Sequence, residues 1–311
     1  MKRVAMFTHR DCLHHDPGPF HPESPARLRA VLAALEHPDF VPLLREQAPL
    51  ATREHLCLAH PAAYVDAILA LAPEAGDCLA LDSDTFVSAG TVAAARRGAG
   101  AAIAGVDAVM EGWADSAFAA TRPPGHHAEP ARAMGFCLFA NASIAALHAR
   151  RRWGLKRIAV VDFDVHHGNG TQDIFYNDPD LFYTSSHQMP CYPGTGAQGE
   201  HGVANNVLNL PLAPGSGSAQ FREVWTHVGL PAVEEFKPDL LLISAGFDAH
   251  RADPLAHLTL DTEDFGWITD RLISVAEAAC NGRIVSVLEG GYDLPALAAS
   301  VALHVRRLLG I

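Results

Sequence analysis

Short runs of apolar and β-branched residues recur along the chain at Arg3–Phe7, Ala117–Ala120, Arg157–Phe163, Leu181–Ser185, Asn206–Leu210, Asp239–Ser244 and Arg283–Leu288. Each is the length of one buried strand and shorter than a typical helix. Longer stretches with apolar residues at helical spacing lie between them: Pro25–Leu35, Pro61–Leu71, Ala89–Met110, Ala140–Arg152, Ala219–Phe236, Thr262–Ala279 and Pro295–Leu309. Strand and helix alternate, which predicts an α/β fold with a mainly parallel sheet, because parallel neighbours need a crossover between them. Helix starts are marked at Ser24-Pro25 and at Asp261-Thr262, where Glu263 and Asp264 make an acidic first turn. No flexible linker and no repeat at a solenoid period divides the chain, so residues 1–311 are expected to form one domain.

Open parallel sheets bind ligands beyond the carboxyl ends of their strands. The loops that would lie there are Arg122–His127, Asp162–Thr171, His187–Gly199, Gly246–Asp253 and Glu289–Asp293, and they concentrate histidine, aspartate and glycine. After the strand Arg157–Phe163 the chain reads Asp162-Phe163-Asp164-Val165-His166-His167-Gly168-Asn169-Gly170-Thr171. If the backbone stays extended, Asp162, Asp164 and His166 face one side. Two carboxylates and an imidazole together at a buried strand end call for a cation, although a solvated acidic loop would carry the same residue types. A second strand end delivers Asp248, which alone would read as a helix cap. With Asp164 and His166 it makes a set of three ligands that leaves a position open, the pattern of catalytic zinc.

A water at such a metal needs a base, and Arg122-Pro123-Pro124-Gly125-His126-His127 offers two imidazoles on a proline-stiffened turn; a chance surface pair is the plainer reading. Tyr292, in Glu289-Gly290-Gly291-Tyr292-Asp293, could donate to a developing oxyanion or simply be a rim aromatic.

Composition narrows the partners. Hydrophobic residues make up 49% of 311, enough for a large core, while a formal charge of −12 with only 23 Lys and Arg argues against a nucleic-acid face. Cationic substrates would be tolerated. The six cysteines (Cys12, Cys57, Cys78, Cys137, Cys191, Cys280) form no C-x-x-C pair, which suits a reducing compartment and disfavours structural zinc. No apolar run is long enough for a membrane span or signal peptide, so a cytoplasmic protein is expected. Gly194–Gly199 fits G-x-G-x-x-G but leads into polar Glu200-His201-Gly202 rather than a helix, and no G-x-S-x-G elbow exists.

Taken in order, R-P-P-G-H-H, G-F-C (Gly135–Cys137), D-F-D-V-H-H-G-N-G-T, Y-P-G-T-G (Tyr192–Gly196), S-A-G-F-D and E-G-G-Y resemble the zinc-dependent histone deacetylase family, including its bacterial amidohydrolases. The resemblance runs from His21-Pro22-Glu23 to the Leu294–Leu309 segment. It implies the arginase/deacetylase fold, a three-layer sandwich around a mainly parallel eight-stranded sheet. It also implies Asp164, His166 and Asp248 as zinc ligands, His127 as general base and acid, His126 as its electrostatic partner, and Tyr292 as oxyanion donor. Asp162 would orient His126 and Asn169 would orient His127; some relatives carry aspartate at the latter position. Potassium is implied at the main-chain carbonyls of Asp162, Asp164, His166 and Ser186 with the Ser185 hydroxyl, and at a second position near Phe175, Asp178 and Leu181.

For substrate, the resemblance assigns Gly135, Phe136, Tyr192 and Gly291 to the acyl-chain tunnel, and Asp84 to a rim position that holds the substrate backbone. Leu255 stands where a polyamine-specific branch has glutamate, which favours acyl-lysine in peptide or protein over an acetylated small amine. Three rivals share parts of this pattern. An acetylpolyamine amidohydrolase would use the same catalytic residues. An arginase-like two-metal enzyme would need a carboxylate where Gly246 stands, and a non-catalytic metal-binding protein would not need Tyr292 or His127.

Overall fold

A computed structural model describes residues 2–311. Along the chain come β1 (Val4–Thr8), α1 (Pro25–Ala34), β2 (Leu44–Gln47), α2 (Arg53–Leu56), α3 (Ala62–Leu69), the short antiparallel pair β3 (Leu79–Ala80) and β4 (Phe86–Val87), α4 (Thr91–Glu111), β5 (Ser116–Ala119) and α5 (Asn141–Trp153). They are followed by β6 (Ile158–Asp162), α6 (Asn169–Phe175), β7 (Leu181–Gln188), β8 (Val207–Leu212), α7 (Ser218–Val224), α8 (Leu230–Phe236), β9 (Leu240–Ala245), α9 (Thr262–Cys280), β10 (Ile284–Leu288) and α10 (Leu294–Leu309). Eight strands make one sheet in the order β2-β1-β5-β10-β9-β6-β7-β8, and every pairing in it is parallel.

Alternation along the strands sorts the core into two layers. Met6, Phe118, Val161, Ile243 and Ile284 pack against α1, α9 and α10 on one face. Phe7, Ala117, Val160, Leu242 and Val285 pack against α4 and α5 on the other. Helices therefore cover both faces, which is why these strands read as unbroken apolar runs. An eight-stranded parallel sheet between two helical layers is the arrangement expected from the motifs.

Several features depart from the pattern reading. Strand β2 escaped it because Leu44-Arg45-Glu46-Gln47 lies at the sheet edge and is largely exposed, so burial leaves no apolar signature there. The chain after Asp162 does not stay extended: it bends through Asp164–His166 and enters α6 at Asn169. Carboxylate-to-backbone bonds drive the bend, with Asp162 Oδ1 accepting from Asp164 N at 3.1 Å and Asp164 Oδ1 from His166 N at 2.9 Å. The helical stretch Ala219–Phe236 is interrupted by a π-turn at Trp225–Gly229, just before Pro231, which has no N–H to continue the ladder. Ser24 does occupy the N-cap of α1 with Pro25 following, but its side chain makes no cap bond.

The four central neighbours β5, β10, β9 and β6 run the same way, so their carboxyl ends open onto one place. From these ends issue the loops carrying His126 and His127, Gly290 and Tyr292, Gly246 and Asp248, and Asp162 to Asn169.

Candidate active site

At that place Asp164, His166 and Asp248 come together, each buried and each offering a ligand atom, all within 4.8 Å of one another. His166 Nδ1 lies 3.1 Å from Asp164 Oδ1 and 3.2 Å from Asp248 Oδ2. The remaining oxygens are held from behind: Gly290 N donates to Asp164 Oδ2 at 2.8 Å and Val165 N to Asp248 Oδ1 at 2.8 Å. Gly246 makes the closeness possible, because a Cβ there would stand 2.1 Å from Asp164 Oδ2. Burial and the Asp164 charge push Asp248 up to about 7, whereas Asp164, despite its burial, is held low by His126 and His166. Two buried carboxylates around one imidazole form an anionic N/O donor set of the composition that suits a divalent ion.

The tandem histidines sit beside it. His126 Nδ1 meets Asp162 Oδ2 at 3.0 Å, and its Nε2 lies 3.8 Å from Asp164 Oδ2. Burial alone would lower His126, but Asp164 and Asp162 outweigh it and raise the group to about 10, so this ring is cationic at neutral pH. His127 has the opposite state: burial, then the charges of His126 and His166, drive it well below the ordinary range and keep it neutral. Its Nδ1 is 2.8 Å from Asn169 Oδ1. The two adjacent imidazoles thus shift in opposite directions, His126 raised by the carboxylates around it and His127 lowered by burial beside two other imidazoles. Gly135 packs against the His127 ring so closely that a Cβ would lie 2.4 Å from Cδ2, and its φ of +56° suits glycine in any case.

Above these groups is a cavity of about 220 Å³ lined by Asp84, His127, Gly135, Phe136, His166, Tyr192, Leu255 and Tyr292. Phe136 meets Tyr292 edge-on at 5.9 Å and Tyr192 meets His127 edge-on at 5.1 Å, so aromatic walls narrow the space. Burial and the nearby Asp248 and Asp164 charges raise the Tyr292 hydroxyl far above its ordinary value against the pull of Arg27, which keeps it protonated. Asp84 Oδ1 accepts from Gly135 N at 3.1 Å and from the Thr85 hydroxyl at 2.8 Å. Gly291 contributes backbone, its carbonyl accepting from Arg27 Nε at 2.6 Å.

Of the potassium candidates, Ser185 Oγ bonds His187 Nδ1 at 2.9 Å and Ser186 Oγ accepts from Trp225 Nε1 at 3.0 Å. The carbonyls of Phe175, Asp178 and Leu181 converge, but on Asn206 Nδ2, at 2.8, 3.0 and 3.0 Å. The G-x-G-x-x-G segment leads into no helix.

Several groups around the site carried no role in the sequence reading. Glu289 accepts from the backbone N–H groups of Gly125 and His126 at 2.7 and 3.2 Å, and burial pushes it up to about 7. Glu23 is wholly buried between Arg122 and Arg27, and Arg27 reaches the carbonyls of Glu289 and Gly291. Asp253 accepts from Tyr292 N at 2.7 Å and from Leu255 N at 3.0 Å, tying the rim to the tyrosine loop. Glu289 and Arg122 do stand inside the motifs, but their partners are remote in sequence.

Residues 21–308 match the model of the histone deacetylase domain. The chain belongs to the histone deacetylase family. It is 39% identical to a histone deacetylase-like amidohydrolase of Pseudomonas aeruginosa, with 94% of this chain and 82% of that protein covered. It is 42% identical to a probable deacetylase of Methanothermobacter thermautotrophicus (96% and 88% covered), and 42% identical to the chloroplastic histone deacetylase 14 of Arabidopsis thaliana (93% and 73%). A crystal structure of the HDA15 HD domain superimposes with a TM-score of 0.92 at 35% identity, covering 99% of this chain and 88% of that one. The protein is therefore a hydrolase of the deacetylase family. Among the described residues no helix is long and apolar enough to cross a membrane, and all six cysteines are unpaired.

Proposed function

We propose that this deacetylase-family protein hydrolyses the amide of N-acyl-lysine in peptides or proteins, as a zinc-dependent amidohydrolase acting on linear amides. The observation that carries the reading is the narrow aromatic cavity ending on the Asp164, His166 and Asp248 cluster, with His127 and Tyr292 in its wall. An unbranched acyl-amine chain suits such a slot better than a ring does. Asp164, His166 and Asp248 would hold one zinc ion, which when bound polarises the carbonyl and acidifies water.

The chain's own groups divide the remaining work. His127, neutral and bonded through Nδ1 to Asn169, has Nε2 left to take a proton from the attacking water and to return it to the leaving amine nitrogen. His126, paired through Nδ1 with Asp162, would add positive charge beside the developing oxyanion. The Tyr292 hydroxyl donates to that oxyanion. Phe136 and Tyr192 flank the acyl-lysine stem and exclude water, Gly135 and Gly291 leave backbone close to the chain, and Asp84 takes the substrate's main-chain N–H at the rim. Leu255 presents no charge to the mouth, which favours acyl-lysine over acetylpolyamine. The potassium positions rest on the family resemblance and take no part in these proton movements. A cytoplasmic location and a single domain over residues 1–311 belong to the same reading.

The test is turnover of acetyl-lysine peptide, longer acyl-lysine peptides and acetylated putrescine and spermidine by the zinc-loaded protein. Acetyl-lysine peptide hydrolysis that is lost with a chelator and restored by zinc is the expected result. Faster turnover of acetylated polyamines would replace the substrate class, and hydrolysis of none would sink the catalytic reading.

A further inference from the structure

The base proposed above works only if the proton of neutral His127 sits on Nδ1, leaving the Nε2 lone pair for water. Asn169 Oδ1, 2.8 Å from Nδ1, accepts that proton. A carboxamide has a second way to sit, however. Rotated by half a turn it would present its NH2 group to Nδ1, move the ring proton to Nε2 and leave no base, and the two orientations fill almost the same space.

What distinguishes the two orientations is the group at the far end of the amide. Asn169 Nδ2 donates to Glu129 Oε1 at 2.8 Å, with Met134 Sδ a weaker acceptor at 3.3 Å. An ionised carboxylate only accepts, so it can bond the NH2 end of Asn169 and never the carbonyl end. Glu129 is itself fixed, two residues beyond His127, by a backbone bridge to Arg132, with Glu129 N donating to Arg132 O at 3.0 Å.

We infer that Glu129 is a positioning residue that sets the tautomer of His127 through the orientation of the Asn169 amide. This rests on His127 being the general base. It gives Asn169 a directionality that an amide lacks on its own, and it makes the pair Glu129 and Asn169, rather than Asn169 alone, the unit that a substitution must respect.

The test inverts the polarity. Glu129→Lys places a group that only donates beside Asn169, which then turns its carbonyl outward and its NH2 group toward His127. The expected result is a kcat lower by on the order of a hundredfold with KM within a few-fold and an unchanged melting temperature. Adding Asn169→Asp restores kcat to within about tenfold, because a carboxylate accepts both from the introduced ammonium and from Nδ1–H. Imidazole nitrogen NMR of His127, recorded without substrate, reads Nδ1–H in the parent and in the double variant and Nε2–H in Glu129→Lys. Unchanged kcat and an unchanged Nδ1–H signal in Glu129→Lys overturn the inference, as does a loss that Asn169→Asp does not recover. If the parent protein hydrolyses no acyl amide, the proposed function fails while the NMR comparison still decides the tautomer.

Discussion

At the scale of single residues, a close constraint lies at Gly246, where the missing side chain leaves room for the Asp164 carboxylate beside the His166 imidazole. Gly246→Ala would drive a methyl group to 2.1 Å from Asp164 Oδ2 and displace that carboxylate. Zinc affinity, measured by competition with a chromophoric chelator, is expected to fall by roughly tenfold to a hundredfold, the range seen when groups supporting a ligand are lost. An affinity equal to the parent's would show that Asp164 is not a ligand. The clustering of Asp164, His166 and Asp248 was legible in the sequence because all three follow apolar strands at their carboxyl ends. Glu289 and Glu129 were not legible as supports. Each is an ordinary glutamate beside a motif, and its meaning comes from Gly125, His126 or Asn169, which only folding brings near.

At the scale of elements, Glu23 joins the start of α1 to the loop after β5, and Arg27 carries the connection on to the loop after β10. All three charged side chains are buried, so removing the carboxylate strands two guanidinium groups. Glu23→Ala is expected to cost about 3–5 kcal/mol in urea unfolding, and a loss below about 1 kcal/mol would mean that the arginines find water. A second element-level prediction concerns His304 on α10, bonded to Thr269 Oγ1 at 2.7 Å and Ser286 Oγ at 2.9 Å and lowered by burial to about 3. Unfolded histidine titrates near 6.5, so the unfolded chain takes up a proton that the folded chain refuses. The stability from His304 is complete above pH ~6.5 and drains as pH falls toward 3. Between pH ~7.5 and ~4.5 the parent should lose roughly 3 kcal/mol more than His304→Gln. Equal losses would refute it. The buried elements were readable for the reason that makes them stable, an apolar run covered on both faces. Edge strand β2 and the short α6 were hidden because one is wet and polar and the other begins at Asn169 in a stretch dominated by chemistry.

At the scale of the molecule, the four central strand ends supply the pocket while the formal net charge of −12 sets what approaches it. The net charge repels acidic chains and attracts basic ones over distances of about a Debye length, and Asp84 at the rim adds a local negative group whose carboxyl is raised by burial. Inside the slot, by contrast, Phe136 and Tyr192 give little selection by charge. Discrimination among acyl-lysine peptides should therefore come from flanking residues and depend on salt. For an acetyl-lysine peptide flanked by arginines, KM is expected to rise several-fold between about 50 mM and 500 mM salt, whereas a glutamate-flanked peptide should show a falling KM over the same range. The kcat values should stay close for both, since on the proposed reading His127 and Tyr292 would meet the same acyl group in each. Parallel salt responses of the two peptides would count against charge steering and leave the shape of the mouth, around Leu255 and Tyr192, as the selector.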